Sequence, residues 1–210
     1  MDERRYFDTQ RLLSVTDGVV AISMTLLVLT LSVPVVKDIP NSEGLWPEMR
    51  GLWRESLAYL MSFFIVGLLW SYNHLVFRHI RRANGTLLLI NMVFLLAVSI
   101  MPFSSALVAN NWDERLAAIV YGSTMFLAAA ATAGSFAYAT YRRRLVDEDL
   151  EAGFIRRENT IAVWLLAVLA IGAGLGFINS FFTYGVLGSL VVFYWVTIAL
   201  DREGVSARRK

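Results

Sequence analysis

The chain has 210 residues, of which 57% are hydrophobic and 17% charged, and it contains no cysteine. Soluble domains hold about 45–50% apolar and about 25% charged residues, and here the excess is gathered in long uncharged runs, which excludes an ordinary soluble fold. The net charge of +2 does not point to nucleic acid, because the basic residues form short clusters between apolar runs, where membrane topology accounts for them; the lack of cysteine removes disulfides, thiolate metal sites and cysteine nucleophiles together.

The N-terminal MDERRYFDTQR is mixed in charge. It leads into an apolar run too long for a signal-peptide core, with no small-residue cleavage site after it, so a retained first helix is expected. Crossing a bilayer takes about 20 apolar residues. Six stretches reach that length, at roughly 12–36, 54–77, 84–109, 114–140, 158–178 and 180–200. They predict an all-α integral membrane protein, one domain over residues 1–210.

The first connection, KDIPNSEGLWPEMRGLWRES, carries prolines together with Trp46 and Trp53, which suits an external loop at the lipid headgroups. The fourth, YRRRLVDEDLEAGFIRRE, alternates blocks of charge and is expected to extend both flanking helices into the cytoplasm. Gly172, Gly174 and Gly176 in the fifth helix would allow close helix approach. The last two helices are separated only around Asn179–Ser180, which demands a tight turn. Of the 19 basic residues, only Lys37, Arg50, Arg54 and Arg115 fall on one side of this arrangement. The rest fall on the other, so both termini are expected in the cytoplasm.

Asp17 is the one acidic residue well inside a span, about a turn and a half from its start. A carboxylate at that depth is costly and should face protein and have a partner. Arg11 lies six residues earlier, and Trp70, Asn73 and His74 lie near the same end of the second helix. These residues fit a hydrogen-bond network supporting a gate, and equally a structural clamp between helices. At 100° per residue, Gly18, Ile22, Thr25, Leu26, Leu29 and Val33 form one apolar stripe with a single hydroxyl, while Asp17 points about 140° away from Ile22. Such a stripe serves ordinary packing, or, if several copies met on an axis, a hydrophobic constriction with an oxygen layer. His74 and His79 are i, i+5, which does not suit a shared metal. There is no phosphate-binding glycine loop, no TVGYG-type filter and no nucleophile with a base at a suitable spacing.

RLLSVTDGVVAISMTLLVLTLSVP (11–34) resembles the first helix of the transmembrane protein 175 family of potassium channels, whose pattern Arg-x-x-x-Phe-Ser-Asp is met here by Arg11, Thr16 and Asp17, with Val15 at the Phe position. FFIVGLLWSYNHLVFRHIRRANGTLLLINMVFLLAVSIMPFSSAL resembles the family's second and third helices through Trp70, Asn73, His74, Phe77, Asn91, Pro102 and Phe103. The resemblance covers roughly the first 110 residues. It implies six helices per subunit and, in the prokaryotic branch, a homotetramer with the first helix lining a pore on the oligomer axis. It implies an apolar constriction at Ile22, Leu26 and Leu29, a selectivity layer at Thr25, and pore-supporting packing by Arg11, Thr16, Asp17, Trp70, Asn73 and His74. The expected protein is therefore a potassium-selective channel subunit in a cell membrane. No enzymatic activity, cofactor, nucleic acid or bound metal is expected beyond permeating potassium. A proton-coupled transporter using Asp17 and His74, or a non-conducting membrane scaffold, is the alternative.

Overall fold

The computed structural model describes residues 8–34, 45–143, 145–146 and 150–207. Arg4, Arg5, Lys37, Arg144, Arg208, Arg209 and Lys210, used above for the charge balance, lie outside them. Among the described residues the regular structure is helical. It comprises α1 (Thr9–Leu26), α2 (Leu45–Gly51), α3 (Trp53–Phe77), α4 (Gly85–Asn110), α5 (Arg115–Thr140), α6 (Ala152–Leu175) and α7 (Ser180–Ala207). Six are long and apolar enough to cross a membrane, α1 with its short 3-10 continuation included; α2 is not.

Local chemistry explains where these helices begin. Asp8 caps α1 by accepting the Gln10 N–H at 2.8 Å, and Asn84 caps α4 by accepting the Leu87 N–H at 3.0 Å. Asn179 accepts the Phe181 N–H at 2.9 Å, which starts α7 directly after α6 and makes the tight turn that the sequence required.

Three boundaries depart from the sequence reading. The first helix does not run as α-helix to residue 36: it tightens into a 3-10 turn at Leu27–Thr30 and then extends through residues 32–34. Pro34 accounts for part of this, because the residue before a proline is pushed out of the helical region. The second difference is α2, seven residues that carry Trp46 with Arg50 stacked over its ring at 5.3 Å. It is too short to leave a periodic signal. The third is α6, which starts at Ala152 rather than near 158, so the charged connection extends that helix. The fourth helix does not extend likewise, since α5 ends at Thr140 in a 3-10 turn.

The core is a bundle centred on α4 and α5. Asn84 donates to the Tyr138 hydroxyl at 2.9 Å across these two helices, near the end that carries the N-terminus. Toward the other end, Ser62 of α3 donates to Ser105 of α4 at 2.9 Å, Ser105 donates to the Ala58 carbonyl at 3.4 Å, and Tyr121 of α5 stands 2.8 Å from Ser62. With Ser62's proton already used, Tyr121 is the donor in that pair, and three helices are joined by one buried chain of hydroxyls. On the α6 side, a Cβ on Gly122 would sit 3.1 Å from Ala173, and one on Gly172 would sit 3.0 Å from Val186. These glycines let α5, α6 and α7 approach closely. Gly174 meets nothing within 4 Å, so it takes no part in that approach. Between α3, α5, α6 and α7 the packing opens into an apolar cavity of about 380 Å3, lined among others by Ile65, Met125, Leu169 and Leu187.

Candidate functional site

α1 has two faces of different character. Leu12, Thr16, Val20, Ser23 and Leu27 are buried, at the i, i+4, i+8, i+11, i+15 spacing of one helical stripe. The other face carries Ile22, Leu26 and Leu29, which are 60%, 44% and 75% exposed. Thr25 is exposed beside them, and its hydroxyl donates to the Ile22 carbonyl at 2.8 Å. That bond uses the only proton Thr25 has, so its oxygen is left as an acceptor on the exposed side. Leu29 lies on the 3-10 turn and not on the α-helix, so its position differs from the one that 100° per residue assigns it. It is exposed nonetheless, because the tighter turn still leaves Leu27 as the inward residue.

The buried face is held by two hydrogen bonds to α4. Asn91 donates to the Thr16 hydroxyl at 2.9 Å, while Thr16 itself donates to the Leu12 carbonyl at 3.0 Å. Ser23 donates to the Val98 carbonyl at 2.7 Å. Both pairs are separated by 75 residues, so α1 and α4 run parallel in one constant register. The two contacts are seven residues apart on each helix, about two turns.

The polar residues singled out around Asp17 come together only in part. Trp70 of α3 donates its indole N–H to Asp17 at 2.8 Å, and the His74 ring lies 5.8 Å from the Trp70 ring. Asn73 turns the other way: it is buried and reaches Thr132 of α5 at 3.4 Å. Arg11 is exposed, and among the described residues no ion pair joins it to Asp17. Six residues along a helix place the two about 9 Å apart along the axis and on different faces. His79 belongs elsewhere, with its ring 4.8 Å from Phe154 and its Nδ1 3.0 Å from the Leu75 carbonyl. Among the described residues no group of three or more His, Asp and Glu is arranged to hold a metal ion.

Sequence reasoning did not find Ser23. A serine inside an apolar span reads as a small packing residue. The signal that would have marked it is Pro102, which lies inside α4 and removes the N–H that would otherwise bond the Val98 carbonyl. Ser32 N–H and Glu55 were likewise missed: the backbone N–H that follows the 3-10 turn donates to the Glu55 carboxylate at 2.6 Å and ties the exit of the first span to α3.

Residues 11–102 match the family model described as the endosomal/lysosomal potassium channel TMEM175. The chain is 29% identical over 191 residues to a potassium channel of Streptomyces collinus, covering 89% of this chain and 91% of that one. It is 36% identical over 114 residues to the endosomal/lysosomal proton channel TMEM175 of Mus musculus, covering 50% of this chain and 23% of that one. Its fold is similar to the crystal structure of a lysosomal potassium-selective channel TMEM175 homolog from Chamaesiphon minutus, with a TM-score of 0.79 and 26% identity over 90% of this chain and 97% of that one. The family match falls on the spans that carry the two faces of α1 and their partners on α3 and α4, and over nearly its whole length the chain is similar in sequence to a potassium channel and in fold to a TMEM175 homolog.

Proposed function

We propose that this protein is a subunit of a potassium-selective cation channel, that four copies assemble around an axis, and that α1 of each lines the ion path. The observation that carries this reading is the exposed face of α1. It combines three large apolar side chains with one hydroxyl oxygen whose proton is already engaged, and the opposite face is fully occupied within the subunit. Ile22, Leu26 and Leu29 form the constriction, and conduction requires those rings to widen and rewet. Thr25 supplies an oxygen layer at which a cation exchanges part of its hydration shell. Asp17, held by Trp70, whose ring lies beside that of His74, sets the orientation of the helix behind the constriction, with Thr16 bonded to α4 one residue earlier. At the same end Asn73 ties α3 to Thr132 of α5, and Arg11 stays exposed for contacts outside the subunit. Both termini face the cytoplasm of a cell in whose membrane the assembly sits, as the charge balance favours.

Purified protein in liposomes with opposed potassium and sodium gradients tests this reading. The expected result is a reversal potential displaced toward that of potassium, an increased leak in Ile22→Asn, and a displacement reduced in Thr25→Ala. Absence of passive flux, or both variants indistinguishable from wild type, rejects it. The relative from Mus musculus is called a proton channel, so the same liposomes should also be challenged with a pH gradient alone. Uptake that requires that gradient and is abolished by Asp17→Asn would favour a proton-coupled transporter over passive conduction.

A further inference from the structure

Pro102 interrupts the backbone ladder of α4 without ending the helix, which runs on to Asn110. A proline has no N–H, so the carbonyl four residues earlier, that of Val98, loses its ladder partner and is pushed outward by the ring. Inside a bilayer such a carbonyl must be satisfied by another group, and side-chain hydroxyls of neighbouring helices are the usual source. Here the source is Ser23 of α1, 2% exposed, whose hydroxyl donates to Val98 at 2.7 Å. Ser23 follows Ile22 directly and lies about 100° around the helix from it and about 60° from Leu26, so it faces α4 at the edge of the stripe while they are exposed. One turn later α1 gives way to the 3-10 segment that carries Leu29.

We infer that Ser23 is a positioning residue for the constriction. Its hydroxyl and the proline-freed Val98 carbonyl form a clasp that holds the outer half of α1 back against α4, and so sets how closely Ile22 and Leu26 of neighbouring subunits approach on the axis. The inference rests on the pore reading above. Thr16 and Asn91 fasten the helix two turns earlier by a bond between side chains, so the lower half of α1 stays anchored when the clasp opens and the upper half alone gains freedom. The clasp acts on the width of the path and leaves the Thr25 oxygen untouched, so it governs opening and not ion preference.

The test compares Ser23→Ala, Pro102→Ala and the double variant in single-channel recordings and liposome flux. An alanine at position 102 brings back the N–H that the Val98 carbonyl lacks, and with it the carbonyl no longer depends on Ser23. Ser23→Ala is expected to lower the open probability roughly three- to tenfold, the weight of one such bond, with the potassium-to-sodium reversal potential unchanged. Pro102→Ala is expected to make the further loss of Ser23 nearly silent. A role in fold stability alone would lower protein yield or melting temperature and leave open probability in the surviving channels unmoved; that result overturns the inference, as does an equal effect of Ser23→Ala in both backgrounds. If Ser23→Ala fails to assemble, recovery of assembly and opening in the double variant supports the clasp, and failure of both overturns it. Ile22→Asn in the same recordings separates the two levels. A leak there with Ser23→Ala silent leaves the pore reading standing and removes the clasp, while no response in either removes both.

Discussion

Thr25 and Ser23 stand two residues apart on one helix and use their hydroxyls in opposite ways. Thr25 gives its proton to its own backbone at Ile22 and keeps an oxygen for whatever lies outside the subunit; Ser23 gives its proton to a carbonyl of another helix. For Thr25 the consequence is a graded series. Serine at this position retains the oxygen and the back-bond, so Thr25→Ser should keep the potassium preference, while Thr25→Ala should lose most of it, as reversal potentials in mixed potassium and sodium will show. Thr16 carries a different prediction. Its hydroxyl accepts from a fully buried amide of Asn91, and Thr16→Val leaves that N–H without a partner in the same shape. Hydrogen bonds between membrane helices are worth about 0.6 kcal/mol on average and at most about 1.7, so Thr16→Val should lower stability by about 1 kcal/mol in detergent denaturation and spare assembly. The shared exposure of Ile22 and Leu26 and the need of Asp17 for a partner were legible, because periodicity and the cost of a carboxylate in lipid act on single helices. The partners were not legible. Asn73 and Trp70 are three residues apart on the same helix, yet one turns to Thr132 and the other to Asp17, a choice made by the neighbours and not by α3 itself.

At the scale of the elements, α6 offers the sharpest contrast. Gly172 and Gly174 are alike in sequence context, and both suggested close packing. A Cβ at Gly172 would press on Val186, a β-branched side chain with little freedom to yield, whereas one at Gly174 would enter open space. Gly172→Ala is therefore expected to destabilise the α6–α7 pair by about 1–3 kcal/mol, the usual cost of overpacking. Gly174→Ala should be neutral or stabilising by up to about 1 kcal/mol, since alanine is the better helix former. Thermal unfolding of the two variants side by side checks this. The six spans were readable because membrane thickness fixes a minimum length and forbids charge within it. Their ends were not, for particular reasons. The charged residues that begin α6 carry no apolar signal, and the seven-residue α2 is too short to show a period. The 3-10 turn at Leu27–Thr30 leads into an extended exit where Pro34 restricts Val33 and the Glu55 carboxylate captures the Ser32 N–H, features that carry no apolar period. That turn is why a stripe drawn at a constant 100° per residue follows α1 through Leu26 and ceases to describe Leu29.

At the scale of the molecule, one subunit leaves two kinds of apolar surface uncovered. One belongs to the outer helices, such as Val163 and Trp164 of α6. The other is the α1 stripe, which shares its helix with an exposed carboxylate held by an exposed tryptophan. A carboxylate at that depth is expensive against lipid, so the proposed channel holds the α1 side inside an oligomer and the α6 side against the bilayer, and the mass of the purified complex in detergent should be that of four chains. The absence of cysteine provides a direct way to separate the two surfaces. The measurement is potassium flux through single-cysteine variants of the reconstituted protein during exposure to a water-soluble cationic thiol reagent. Modification of Ile22→Cys and Leu29→Cys is predicted to block the flux, while Val163→Cys, at a position 66% exposed in the subunit, remains unmodified and conducting. Flux that persists after Ile22→Cys and Leu29→Cys have been challenged, with no reagent attached at either, would contradict the placement of α1 around a water-filled path.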